Sequence, residues 1–249
     1  MGEYLGLEQD SACFAYFRRH YVHFFPALRT LHRTTVVRQA ANQWRLKERL
    51  WQRVLAQIPH DATFAIIDSF PLPVCQFARA YRCRRLREAA AFGKDTLARQ
   101  TFYGLRVHVR LEWPGVIARF CVAPANVHEL TALPALTEQT AGALVGDRNY
   151  WSPTTTAEWQ PHGVELLAPY RSAKRDPHPS WSALLSRMRY RIDTVFGHLV
   201  DRCAVKRVWA RDLWHLCSRL LRKVLMHTLV VLLNVELGNP PLHLAQVVA

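Results

Sequence analysis

Three acids in this chain stand where carboxylates can do chemistry. Asp68 closes an apolar run, Thr63-Phe-Ala-Ile-Ile-Asp-Ser-Phe70, which reads as a buried central strand ended by Pro71 and Pro73. Asp147 follows a second short apolar run, Ala143-Leu-Val-Gly146. Asp193 lies beside the apolar face that Leu184, Leu185, Met188, Ile192, Val195 and Leu199 would make on a helix. Strands that end in carboxylates bring them together when they are neighbours in one sheet, and ligands gather at strand carboxyl ends for the same reason. Carboxylates so grouped can hold hard cations. Each acid also has a plainer reading. Asp68 can cap the turn after its strand, and Asp193 can pair with Arg189 one turn earlier, an interaction of about 0.3–0.5 kcal/mol.

The basic residues point to a polyanion. Arg79-Ala-Tyr-Arg-Cys-Arg-Arg-Leu-Arg87 packs five arginines into nine residues around Tyr81. Such density repels itself unless an anion answers it, so Arg79, Arg82, Arg84, Arg85 and Arg87 are expected to contact phosphate, with Lys94 extending the patch. The whole chain of 249 residues carries a formal charge of +14, and the excess is mainly arginine, whose forks match phosphate and stack on bases. Nucleic acid is the simplest partner.

Composition narrows the class further. Half of the residues are hydrophobic, enough for one large α/β domain or one domain with an appendage. The six cysteines show no C-x-x-C pair, which argues against a disulfide framework or a zinc site. No secretory leader is recognisable. The most apolar stretch, Val224 to Val235, contains His227 and falls short of the ~20 residues a bilayer span needs, so a cytoplasmic protein is expected.

The remaining pattern supplies scaffolding. A helix is expected over residues 8–24, and a second from Thr34 to Ile58, with Val37, Ala41, Trp44, Trp51, Leu55 and Ile58 inward. Arg38, Arg45, Lys47, Arg49 and Arg53 on its other face would lie on DNA or in water. Tyr103 to Trp113 alternates Leu105, Val107, Val109 and Leu111 with Arg106, His108 and Arg110, as a half-buried antiparallel strand does. Pro114-Gly115 turns it into a returning strand, Val116 to Val122. A helix near 128–136, another near 155–160, a short strand at 164–167 and a polar loop at 172–179 follow. Two long helices complete the chain, one from Ser180 and a leucine-rich one from Asp212 to Leu237.

A strand with Asp68, a hairpin, a helix, a strand with Asp147 and a late helix with Asp193 give the order of an RNase H-like mixed sheet flanked by helices. The expected division is an N-terminal helical, DNA-contacting region, 1–60, and a catalytic domain with C-terminal helices, 61–249. Five blocks sharpen this: Ile67-Asp-Ser-Phe-Pro-Leu-Pro-Val-Cys75, Phe102-Tyr-Gly-Leu-Arg-Val-His108, Ala123-Pro-Ala-Asn-Val-His-Glu129, Gly146-Asp-Arg-Asn-Tyr-Trp151 and Arg189-Tyr-Arg-Ile-Asp-Thr-Val-Phe-Gly197. In this order they resemble the signature blocks of DDE-type transposases of bacterial insertion sequences, most closely the insertion sequence 982 family.

The resemblance implies cleavage at element ends and joining of the freed 3′-OH to target DNA. It implies two Mg²⁺ ions, or Mn²⁺ in their place, held by Asp68, Asp147 and Asp193, with Asp68 bridging. Arg148, Arg189 and Arg191, inside the blocks, would join Lys94 and the arginine cluster on DNA. Double-stranded DNA, as terminal repeats and as target, is the implied partner, on the nucleoid and without a membrane, and holding two ends together implies a homodimer. Two departures bear on activity. Family members generally carry a further helical stretch before the segment resembling Glu3-Tyr-Leu-Gly-Leu7, and they place Glu where this chain has Asp193. A nuclease that cuts without joining, and a copy that binds DNA without cutting, stand as alternatives.

Overall fold

The computed structural model describes residues 2–138, 140–208 and 210–244. The last residues of the expected 61–249 segment, from 245 on, lie outside the described residues. Six strands form one mixed sheet: β1 (Asp61–Pro73), β2 (Ala91–Asp95), β3 (Gln100–Trp113), β4 (Val116–Pro124), β5 (Gly142–Val145) and β6 (Val164–Leu167). The order is β2-β3-β1-β5-β6, and β4 also pairs with β3. β1, β3 and β4 are antiparallel neighbours, whereas β5 and β6 run parallel to β1. This is the RNase H-like arrangement.

β1 runs through the two prolines that were expected to end it. Val74 donates its N–H to Tyr103 O, and N–H groups alternate between strand edges, so the nitrogens of Pro71 and Pro73 face the other edge. There β5 pairs only Phe64, Ala65 and Ile66. Beyond Ile66 that edge needs no donor, and proline is tolerated.

Both faces of the sheet are covered. Ile66, Phe70 and Leu72 of β1, with Leu105, Val107, Val109 and Leu111 of β3, pack on two long helices. On α6 (Pro179–Asp201), numbered after the short α4 (Leu133–Thr137) and α5 (Pro153–Trp159), the buried residues are Ile192, Val195 and Leu199. On α7 (Leu213–Glu236) they are Leu216, Leu220, Leu221 and Val224. The opposite face joins Ala65, Ile67, Leu144 and Leu166 to Leu133 and Leu136 of α4 and to Tyr150.

β3 is therefore buried on both faces, which corrects the half-buried reading: His108, Arg110 and Glu112 are 0%, 3% and 4% exposed. The polar face is closed by its own pairing. Arg110 lies 3.1 Å from Glu112 and donates to Ala62 O, and His60 lies 3.3 Å from Glu112. β2 carried no alternating signal in Ala91-Phe-Gly-Lys-Asp95 and was not anticipated; it forms because it finds the free edge of β3 beside Gln100 to Gly104.

Before the sheet come α1 (Asp10–His20), α2 (Arg33–Asn42) and α3 (Trp44–Leu55). The single helix expected over 34–58 breaks at Gln43, whose φ of −88° and ψ of 24° leave helical geometry. Lys47 does not share the basic outer face: its ammonium is held by Ala40 O and Ser218 Oγ, each at 2.6 Å, and burial pushes it down to about 8. The start of the chain is tied to α7. Glu3, 4% exposed, accepts from Arg222 at 2.5 Å and from Lys223 at 2.9 Å, and Asp10 accepts from Arg219 and Arg222.

Candidate active site

Asp68 and Asp147 are placed by strand register. In the parallel pair of β1 and β5, Ile66 faces Val145. Two residues on, the same register carries the chain to Asp68 and to Asp147, on one side of the sheet. Asp68 lies in the row of Ile66, Phe70 and Leu72, the face that α6 covers. Gly146 makes the passage into Asp147 possible, because a Cβ there would stand 2.6 Å from the Tyr150 ring.

Both acids also serve the backbone. Asp68 Oδ1 accepts the Ser69 N–H at 2.7 Å, a donor that faces the edge β5 has left. Asp147 accepts from the Asn149 N–H at 2.8 Å and from its side-chain amide at 3.1 Å, capping the short turn Arg148–Tyr150. The capping role considered for Asp68 is thus realised more fully at Asp147.

Arg189 joins the acids. Its guanidinium reaches from α6 to Asp68 Oδ2, so it does not make the intrahelical pair with Asp193 considered above. Burial works against the Arg189 charge, yet Asp68, then Asp147 and Asp193, hold its pKa above the ordinary value. Burial pushes Asp68 up to about 6, against the pull of Arg189 and the Ser69 N–H, and Asp147 adds to the push. Asp193 stands exposed on α6 one turn beyond Arg189, its carboxyl raised by its surroundings and lowered by Arg189.

The three acids therefore share one cation, a guanidinium. Among the described residues no three His, Cys, Asp or Glu side chains are grouped closely enough to hold a metal ion. The donors are nonetheless hard carboxylate oxygens, the type a divalent cation takes.

The other candidate residues divide in two. Arg79, Arg82, Arg84, Arg85 and Arg87 are all exposed, on the turn Phe77–Arg82 and the loop after it, and Lys94 is exposed on β2. Arg148, Arg189 and Arg191 are engaged within the fold. Arg148 donates to Tyr170 O; Arg191 donates to Pro114 O at 2.6 Å and lies 3.9 Å above the Trp113 ring. Trp151 packs edge-on against Tyr170 at 4.7 Å.

Sequence reasoning missed a polar network behind Asp68. Ser69 donates to Glu129 at 2.9 Å, and Arg106 donates to Ser69 at 3.1 Å. Tyr150, fully buried, has a hydroxyl with no hydrogen-bond partner among the described residues; burial raises its pKa well above the usual, and Glu129, Asp68 and Asp147 add to that. Glu129 stands inside one of the five blocks, yet nothing in its spacing marks it. Only the strand pairing brings Ser69 and Arg106 beside it.

An RNase H-like sheet with one acid inside its central strand, a second just past the neighbouring parallel strand and a third on the covering helix defines the class of polynucleotide-processing domains. Residues 60–212 match the family model described as a transposase DDE domain, and the chain belongs to that family. No curated protein and no solved structure matches the chain.

Proposed function

We propose that the chain is a DNA transposase that cleaves insertion-sequence ends and transfers the freed strand to target DNA. The observation that carries this reading is the β1 and β5 register, which sets Asp68 and Asp147 side by side beneath an α6 bearing Arg189 and Asp193. Asp68, Asp147 and Asp193 would hold Mg²⁺, which supplies activation of the attacking oxygen and stabilisation of the leaving one. The chain's own residues do the rest. Asp68 is held within paired β1 and Asp147 by the turn that it caps just past β5, so their carboxylates need little ordering. The exposed arginines after β1 neutralise phosphates near the same strand end. Arg189 keeps the acids compensated until a cation and a phosphate replace it. The five blocks favour the insertion sequence 982 type over a nuclease that only cuts.

Nicking and joining of labelled element ends with Mg²⁺ or Mn²⁺ test this. Asp68→Ala or Asp147→Ala should lower cleavage by at least about a thousandfold, the scale of losing a transition-state charge partner, while DNA affinity stays within a factor of about three. Residual cleavage equal to the parent's in both variants removes the site from consideration. Asp193→Glu restores the longer acid of the family and should raise cleavage; an active variant beside an inactive parent makes this chain a binding copy only.

A further inference from the structure

A cavity of about 1070 Å³ lies between the starts of α1 and α2 and the connection from α6 to α7. Its wall carries Arg33 and Arg38 of α2, Arg85 of the exposed loop, Arg207 and Arg211 of the connection, and Arg219 of α7. Asp68, Asp147 and Asp193 do not line it. The acids in the wall are already engaged. Asp10 takes Arg219 and Arg222, Glu8 lies 3.7 Å from Arg207, and Asp212 caps α7 and accepts from His215. The side chains of Arg33, Arg38, Arg85 and Arg211 make no hydrogen bond or ion pair among the described residues.

Cations turned on one hollow repel one another, so the arrangement costs free energy until an anion enters. Three helix beginnings add to the positive field, since Gln9, Thr34 and Asp212 of the wall stand at the N-termini of α1, α2 and α7. The wall is also rigid. Burial pushes the Asp10 carboxyl up, but Arg222 and Arg219 hold it below its ordinary value, and the Glu3, Arg222 and Lys223 contacts fasten the same segment to α7. A preformed hollow binds without first being ordered.

The size selects among anions. A space of this volume is roughly 10 Å across, enough for about two to three successive phosphates of a DNA strand, which rise about 3.4 Å each along the helix axis and lie farther apart along the strand. One phosphate would leave most of the arginines unanswered. We propose that this hollow is a second phosphate-binding site, gripping about three successive phosphates of a DNA strand away from the carboxylates. The DNA source of those phosphates rests on the transposase reading; the cationic hollow itself does not.

The test uses the full chain, a labelled duplex and EDTA, so that cleavage plays no part. Arg33→Gln, Arg38→Gln and Arg211→Gln together should reduce the slope of log affinity against log salt by about 2.7, at about 0.9 per phosphate, and an unchanged slope overturns the proposal. A second measurement needs no substitution. Phenylglyoxal labelling of the parent should show the duplex shielding Arg33, Arg38 and Arg211 more than Arg119, which lies outside the cavity; equal shielding overturns the proposal. If dAMP shields these arginines from labelling and the duplex does not, the hollow takes a free nucleotide and the proposal fails. Mg²⁺-dependent nicking separates this site from the functional reading. Nicking by the parent with an unchanged slope in the triple variant sinks the hollow alone, and a reduced slope without nicking by the parent sinks the cleavage reading alone.

Discussion

The carboxylate centre and the arginine hollow are opposite answers to one electrostatic problem. At the centre, Asp68, Asp147 and Asp193 share one guanidinium, Arg189. In the hollow the acids are engaged while Arg33, Arg38, Arg85 and Arg211 remain unanswered. One region is short of positive charge and the other of negative. The two are also held differently: strand register fixes the first, and buried ion pairs between the chain's start and α7 fix the second. On the proposed readings, cation chemistry and phosphate grip would sit on separate supports. Substitutions should therefore separate cleavage from affinity.

The largest effect on stability should come from the hollow's support. Lys223 is 2% exposed, and its ammonium is held by Glu3 at 2.9 Å and by Cys203 O. Lys223→Met keeps the bulk but leaves Glu3 with Arg222 alone. Breaking one side of a buried ionic network costs about 3 kcal/mol, which lowers the thermal midpoint by about 6–12 °C in a chain of this size. Duplex affinity should fall with it, because the wall that carries Asp10 loosens. A midpoint within about 2 °C of the parent would mean that the ion pairs do not support the hollow, and the contrast of supports would fail.

Legibility followed the same division. Five of the six strands and the two long late helices could be read from their apolar patterns, because strands buried between helices have few residue types available; that the late strands run parallel to β1 could not. Asp68 and Asp147 were readable as acids at the ends of such runs. The hollow was not, because its arginines come from four separate stretches that only tertiary packing joins. β2 escaped for a related reason: it is defined by the open edge of β3 and hardly at all by its own sequence. Arg189 looked like the helical partner of Asp193, and only the crossing of α6 over β1 turns it to Asp68. The break at Gln43 also left no mark, since the apolar line passes through it without interruption.

The far face of the same strands sharpens the contrast through pH. His108 is fully buried, neither ring nitrogen has a hydrogen-bond partner among the described residues, and burial together with Arg106 pushes it down to about 4. An unfolded histidine titrates near 6.5, so the unfolded chain takes up the extra proton between about 6.5 and 4. Stability from the neutral ring is complete above about 6.5 and is lost as the pH falls towards about 4. His227, also pushed down to about 4, acts in the same sense. Asp68 acts in the other: its folded value of about 6 lies above 3.8, so the folded state gains a proton first and softens the loss. His108→Leu should therefore outlast the parent in acid, by about 2–3 kcal/mol at pH 4.5 relative to pH 7.5. Parallel midpoint curves would show that the ring is protonated in the folded state.

The smallest effect should come from the exposed arginines, where the two regions approach each other. Arg85 belongs both to the loop and to the cavity wall, so Arg79→Gln, Arg82→Gln and Arg84→Gln isolate the loop. These three side chains are exposed and make no hydrogen bond or ion pair among the described residues. Each must give up side-chain freedom to meet a phosphate, at a cost of up to about 2 kcal/mol, as must the exposed arginines of the hollow, which differ in converging on one cavity. Their removal should reduce the salt slope by about 1–2, less than the cavity substitutions do. Cleavage at saturating DNA should hardly change, since the acids and their register are untouched. A larger drop than the cavity variant gives would make the loop the principal phosphate grip, with the hollow secondary to it.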